Sequence, residues 1–365
     1  MKKIINRMIC IGMVASLMLV GCMPLPVSEM SNASEAADVS NIIEEENQVE
    51  QKEDLKDNQE KEQNEEPKGT ERSIKIGALK GPTSLGLLFL DMDSDIKMAT
   101  QADEILPLVA KGELDIALVP ANAAANLYQK TNGNVVVIDI NTLGVLYFVT
   151  GNETITSIED LKGSTIYTTG KGTTPEASLR YVLNMNGFSE DDCNIEFKSE
   201  ATEVAAILAE NPDAVGLLPQ PFVTAACIQN DKLKPVLDMN EEFSRVSMAD
   251  EGDAPEEKAG TMVTGVTIAN KKFVTENPEA IEAFLAAHAK SVEETNAKLE
   301  EAGKRAVEMG IVQKEPIAMK AIPKCNIVCI TGEDMKTALS SYLNVLYDFD
   351  KELVGGNLPD EGFYY

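Results

Sequence analysis

From Ser73 onward, short apolar runs alternate with amphipathic stretches of helical length, and the alternation runs through two successive series. In the first, residues 73–79, 96–100, 114–119, 135–140 and 143–150 read as strands, with helices at 103–111 and 121–130. In the second, 165–168, 194–198, 214–218, 234–238 and 263–269 read as strands, with helices at 176–186, 202–210 and 222–229. A helical hairpin from Pro278, a short strand at 327–330 and a last helix to about Tyr347 close the chain. Strands separated by helices predict an α/β protein with mostly parallel sheets. Val135 to Ile140 is almost continuously apolar, as a strand covered on both faces requires. A body of roughly 295 residues is long for one domain and natural for two. The fold expected is two Rossmann-like α/β lobes, 72–148 with 268–365 and 152–262. Two hinge strands, 143–150 and 263–269, join them, and the ligand cleft lies between the lobes.

The N-terminus is of another kind. Lys2, Lys3 and Arg7 precede an apolar run over 8–20 that ends in Leu19-Val20-Gly21-Cys22. A basic start, a short apolar run and small residues describe a secretory signal. About 13 residues are too few to span the roughly 30 Å hydrocarbon core comfortably as a helix. The ending resembles a bacterial lipobox. That resemblance implies a signal peptide over 1–21, cleavage before Cys22, and a diacylglycerol on the Cys22 thiol. The mature chain would then sit outside the cytoplasm, anchored by lipid on the outer face of the cell membrane. Residues 22–71 read as an acidic, disordered tether. Between Glu29 and Glu71 there are 15 acidic residues against four lysines, and too little apolar surface to offset the entropy of ordering.

The net charge of −28 argues against nucleic acid, which calls for a basic footprint, and against electrostatic adhesion to anionic lipid. It does not exclude an anionic ligand, because local donors in a cleft can outweigh the mean field. With Cys10 lost and Cys22 lipidated, Cys193, Cys227, Cys325 and Cys329 could make up to two disulfides. Cys325 and Cys329 lie on an apparent strand, roughly 13 Å apart and beyond disulfide reach, so buried free thiols are expected. No spacing marks a metal site. There is no CxxC pair, His288 is the sole histidine, and Asp91, Asp93 and Asp95 lack the glycine and glutamate that a calcium loop needs. His288 is expected to be a half-buried packing residue in a helix.

Ligands of open α/β sheets bind beyond the C-terminal ends of the strands, which selects a set of turns. The chain around them resembles a known family. The segments that carry the resemblance are Gly77-Ala78-Leu79-Lys80-Gly81-Pro82-Thr83, Leu114 to Asn122, Ile158-Glu159-Asp160-Leu161-Lys162-Gly163 and Leu218-Pro219-Gln220-Pro221. In order and spacing they are similar to the two-lobed (type II) solute-binding proteins of bacterial ABC importers. The nearest group is the nitrate/sulfonate/taurine and thiamine-precursor-like receptors, and the similarity covers essentially all of 72–365. The resemblance implies a lipid-anchored, monomeric binding protein with no cofactor. It would capture a small anionic or heteroaromatic solute and deliver it to a membrane permease. The chain has no Trp and no paired arginines, so the family's ligands do not transfer. A sensor or partner-binding lipoprotein, or an enzyme on the same fold, are the alternatives. The single histidine and the absence of a Gly-x-Ser-x-Gly turn argue against the enzyme.

The candidate ligand groups follow from the turns. Lys80, Gly81, Pro82, Thr83 and Ser84 open a helix, as do Gly170, Lys171, Gly172, Thr173 and Thr174 in the second series. Backbone N–H groups at such starts, with hydroxyls and a lysine, can hold a carboxylate or sulfonate. Asn122 either bonds ligand or caps its helix. Glu200 would favour a cationic or hydroxylated group, and Thr202 or Ser199 is expected to cap the helix there. Gln220 stands on a stiff turn between prolines. Thr142, Gly144, Tyr147 and Thr264 face the lobe junction, where Tyr147 either stacks on a ligand or fills core.

Overall fold

The computed structural model describes residues 73–250 and 260–365. The expected signal peptide, Cys22 and the expected tether lie outside the described residues, as do residues 251–259. The strands are β1 (Ile74–Leu79), β2 (Ser94–Ala99), β3 (Ile116–Pro120), β4 (Val135–Leu143), β5 (Leu146–Thr150), β6 (Thr165–Thr168), β7 (Asn194–Phe197), β8 (Val215–Pro219), β9 (Lys234–Asp238), β10 (Val263–Asn270) and β11 (Ile327–Ile330). The helices are α1 (Leu106–Lys111), α2 (Ala121–Lys130), α3 (Thr174–Met185), α4 (Ala201–Glu210), α5 (Phe222–Gln229), α6 (Met239–Asp250), α7 (Lys271–Glu276), α8 (Pro278–Ala297), α9 (Leu299–Glu308), α10 (Glu315–Ala321) and α11 (Gly332–Phe349). None of the described helices is long and apolar enough to cross a membrane.

Two sheets result, one of six strands in the order β11-β4-β10-β3-β1-β2 and one of five in the order β7-β6-β8-β5-β9. They are mixed, which corrects the expectation of mostly parallel sheets. β1 pairs in parallel with β2 and β3, and β6 with β7 and β8. The strands next to the lobe crossings, β4, β5 and β10, pair antiparallel. The physical reason is direction of entry. A chain arriving from the other lobe enters its new sheet at the cleft edge and runs away from it, whereas β1, β3, β6 and β8 run toward it. The outgoing crossing falls at Gly144–Val145, between β4 in the first sheet and β5 in the second. The return leads from α6 into β10.

Local sequence explains most boundaries. Pro107 divides the expected 103–111 helix into a 3-10 turn at Ala102–Glu104 and α1. Gly112, at φ 73°, takes the left-handed turn that ends α1. Helix α6 forms over a stretch with no predicted element. In the first lobe Ile76, Ile116, Leu118 and Ile138 are fully buried with Phe284 of α8. Each such side chain contributes about 1.5–3 kcal/mol by leaving water.

Candidate functional site

The hinge is held by side chains that no motif announced. Asn240, near the start of α6, accepts through Oδ1 from Gly144 N at 3.3 Å, Thr261 Oγ1 at 3.0 Å and Met262 N at 3.3 Å. One side-chain oxygen therefore ties both crossings together. From the other side Asn326, in the left-handed region at φ 46°, donates Nδ2 to Gly144 O at 2.6 Å. Gly144 is required by space: a Cβ there would stand 2.7 Å from Asn240 Cβ. Replacing Asn240 by Ala leaves three donors without their acceptor. It should cost roughly 1–3 kcal/mol, read as a lower urea midpoint at unchanged slope; an unmoved midpoint would place the hinge restraint elsewhere.

The first predicted loop differs in form from the expectation. Gly81 is extended and precedes a 3-10 helix, Pro82–Leu87, not an α-helix. The Ser84 hydroxyl donates to Leu79 O at 2.5 Å and is fully buried, so its proton is spent inside the fold. Thr83 is buried against the Gly265 backbone, while Lys80 is exposed.

The second loop is also engaged. Gly172 N donates to Glu176 Oε2 at 2.7 Å, and Thr173 Oγ1 donates to Gly170 O at 2.6 Å. Glu176 is 5% exposed and paired with Arg180 at 2.7 Å. The start of α3 thus already holds a carboxylate supplied by the chain itself. Ser178 of α3 shares a 3.1 Å hydrogen bond with Tyr342 of α11, joining the lobes. Burial pushes the Tyr342 hydroxyl up to about 12. Lys171 is exposed, 5.9 Å over the Phe197 ring.

Asn122 is the second residue of α2, whose N-cap is Pro120, so its capping role is not realised. Glu200 and Thr202 are exposed at the start of α4. Glu200 itself is the N-cap, and no side chain caps that helix, which corrects the assignment of Thr202 or Ser199. Thr142 is fully buried and donates to Asn141 Oδ1 at 2.9 Å. Thr264 is half-buried on β10. Tyr147 is core, and its hydroxyl also crosses the junction to donate to Lys324 O at 2.8 Å. Burial, with Asp238 beside it, pushes that hydroxyl well above its ordinary value.

Gln220 has the feature expected of a binding group. It is 1% exposed, its Oε1 accepts from Thr224 N and Oγ1 at 3.3 and 2.8 Å, and its Nε2 has no partner among the described residues. The turn it stands on meets the first loop. Gly81, Pro82 and Leu85 of one lobe and Pro221 of the other line an apolar crevice, closed over by Ile311, Ala321 and Ile322. Its free volume is about 10 Å³, the room of a single water, so the lobes are shut there. Beside it opens a larger groove of about 280 Å³, lined by Val223, Thr224, Cys227 and Ile228 of the second lobe and Lys320 and Lys324 of the first. Two lysines and, among the described residues, no carboxylate line it. The sequence reading missed both lysines, because nothing in the local pattern around α10 shows that it packs on α5. A third hollow, lined by Arg180, Asn184, Glu190 and Cys193 among others, lies wholly within the second lobe.

Beneath the first loop runs a buried polar chain, also unread in the sequence. Thr267 Oγ1 donates to Asp139 Oδ1 at 2.7 Å, Asn141 Nδ2 donates to Thr267 Oγ1 at 3.2 Å, and His288 Nδ1 is 3.0 Å from Asp139 Oδ2. All four residues are essentially buried, so His288 is not half-buried as expected. The four cysteines among the described residues are free thiols, as expected, but only Cys325 is buried; Cys193, Cys227 and Cys329 are half-buried, which corrects the expectation of four buried thiols. Burial pushes Cys325 up to about 12.

Comparison with known proteins agrees with this architecture. Proteins named as binding proteins in Brucella abortus are 25% identical over 197 residues, 53% of this chain and 55% of theirs; the chain thus spans about half the length of the curated relatives it matches. A solved ABC transporter protein from Parabacteroides distasonis superposes with a TM-score of 0.65 at 23% identity, over 80% of this chain and 98% of that one. The periplasmic aliphatic sulphonate binding protein of Escherichia coli gives 0.61 at 14% identity, over 80% and 92%. A desulfurization enzyme shares the fold at 0.53 and 13% identity, over 80% and 96%. The two-lobed solute-binding fold that the sequence resembles is therefore the fold observed. The family model described as NMT1/THI5 like matches residues 90–302, more than half of the chain, and the protein belongs to that family.

Proposed function

We propose that this protein is an extracytoplasmic, lipid-anchored solute receptor of an ABC importer that captures a small anion between its lobes and passes it to a membrane permease. One observation carries the reading. In a chain of net charge −28, the open groove between the lobes is lined by Lys320 and Lys324 and, among the described residues, by no acidic one. At about 280 Å³ it lies near the lower end of small-ligand pockets. Thr224 in its wall leads to the unpartnered Gln220 Nε2. A sulfonate or carboxylate fits this donor set, with its apolar part toward Val223 and Ile228. The Escherichia coli relative's named ligand class, aliphatic sulphonates, makes alkanesulfonates the first solutes to try. Contacts from both walls would favour the closed form. The loop at 170–174 is a weaker candidate, since Glu176 already fills it.

The test begins with native mass spectrometry of the purified protein, before and after unfolding and refolding, to find and weigh a bound solute. Charge reversal of Lys320 and Lys324 to Glu should then weaken alkanesulfonate binding by about 10–100-fold, the loss expected for charged hydrogen bonds of about 1.5–3 kcal/mol. Unchanged affinity would move the anion out of this groove. No adduct and no thermal shift with sulfonates or carboxylates would sink the receptor reading, and turnover of a sulfonate would replace it with an enzyme.

A further inference from the structure

Among the described residues, one group of metal-ligating side chains converges, and it lies away from the groove, inside the first lobe. Asp139 of β4, His288 of α8 and Cys329 of β11 place one donor atom each within 4.8 Å of one another. The geometry points to a zinc-type divalent metal site formed by the Asp139 carboxylate, the His288 imidazole and the Cys329 thiolate.

The donor set is one that zinc prefers, with bond lengths of about 2.0–2.3 Å to such atoms. The His288–Asp139 pair, 3.0 Å apart, is already near the separation of two ligands on one ion. Charge supports it as well: a divalent ion with one carboxylate, one thiolate and one neutral imidazole is a neutral assembly, which a buried location demands. Asp139 and His288 are fully buried, while Cys329 is half-buried and gives the ion a way in. On the carboxylate side an outer shell is in place. Thr267 donates to Asp139 Oδ1 and leaves Oδ2 facing His288, and Asn141 in turn donates to Thr267. Such partners fix the orientation of metal-binding groups. Phe284 stacks on the imidazole, centroids 5.4 Å apart and planes at 26°, which fixes the ring. The fourth position would fall to water entering beside Cys329. The other imidazole nitrogen, Nε2, is buried without a partner among the described residues, so no hydrogen bond from them commits the ring to one tautomer from that side.

The test uses the purified chain, stripped with chelator, kept reduced and titrated with Co²⁺. One Co²⁺ per chain should bind, with a thiolate-to-cobalt charge-transfer band and the intense visible bands of a tetrahedral ion, and Zn²⁺ should displace it. Cys329→Ser, which keeps side-chain size, should lose the charge-transfer band and bind Co²⁺ at least about 10-fold more weakly, whereas Cys193→Ser should change neither. His288→Gln should lose the visible bands, with circular dichroism reporting whether it folds. A wild-type protein without the charge-transfer band, or a band that survives Cys329→Ser, overturns the site. Neither result bears on solute capture in the lysine groove.

Discussion

Asp139→Ala should be among the most destabilising single substitutions in the first lobe, at roughly 3–5 kcal/mol, the usual cost of breaking a buried, hydrogen-bonded pair from one side. The carboxylate is fully buried between Thr267, 2.7 Å from Oδ1, and His288, 3.0 Å from Oδ2. Its removal strips His288 of its one hydrogen-bond partner among the described residues, where Nε2 has none, and leaves a hole under the first loop. Against a total stability of about 5–15 kcal/mol, such a loss is a large fraction. The measurement is urea unfolding of metal-free protein, so that any bound ion does not enter. Removing both partners, as in Asp139→Leu with His288→Leu, should recover part of the loss, since an apolar pair leaves no orphaned polar group. A loss under about 1 kcal/mol for Asp139→Ala would mean that the pair is worth no more than an ordinary exposed contact.

Gly265→Val should damage stability and ligand capture together. A Cβ at Gly265 would stand 2.5 Å from both Asn141 Oδ1 and Thr83 Cγ2. The backbone cannot step aside, because β10 is paired on both edges, Gly265 opposite Pro120 of β3 and Thr142 of β4. Overpacking of this kind costs about 1–3 kcal/mol. The strain would fall on the segment carrying Gly81 and Pro82, which lines the crevice between the lobes. Thermal unfolding should show a clear drop for Gly265→Val and almost none for Gly81→Ala, where a Cβ meets nothing within 4 Å. Equal stability of the two variants would show that the loop gives way freely. A large drop with unchanged solute affinity would separate the loop from the binding site.

Apolar period and turn chemistry were enough to give the class of fold, the two series of strands and helices and the turns at the strand ends. These are local or short-range properties. Apolar periodicity and a glycine such as Gly112 that can turn left-handed act within a few residues. The strand directions were misjudged for the same reason: alternation is local, but the direction of β5 and β10 depends on a crossing between lobes. The candidate site was legible only in part. Gln220 and the loop at Gly81–Pro82 come to the junction, whereas the glycine loop at 170–172 spends a donor on Glu176, a residue of its own helix.

The rest depends on contacts between segments far apart in the chain. Asn240 acts on Gly144 and Met262 because α6 returns to the crossing. Lys320 and Lys324 face α5 because α10 folds back across the cleft. Asp139 meets a histidine 149 residues away because α8 packs over β4 and β10. Hydrogen bonds and ion pairs of this kind carry no period and no fixed spacing along a chain. They form where packing brings distant segments within about 3 Å, and the core that imposes that packing is the product of the whole fold.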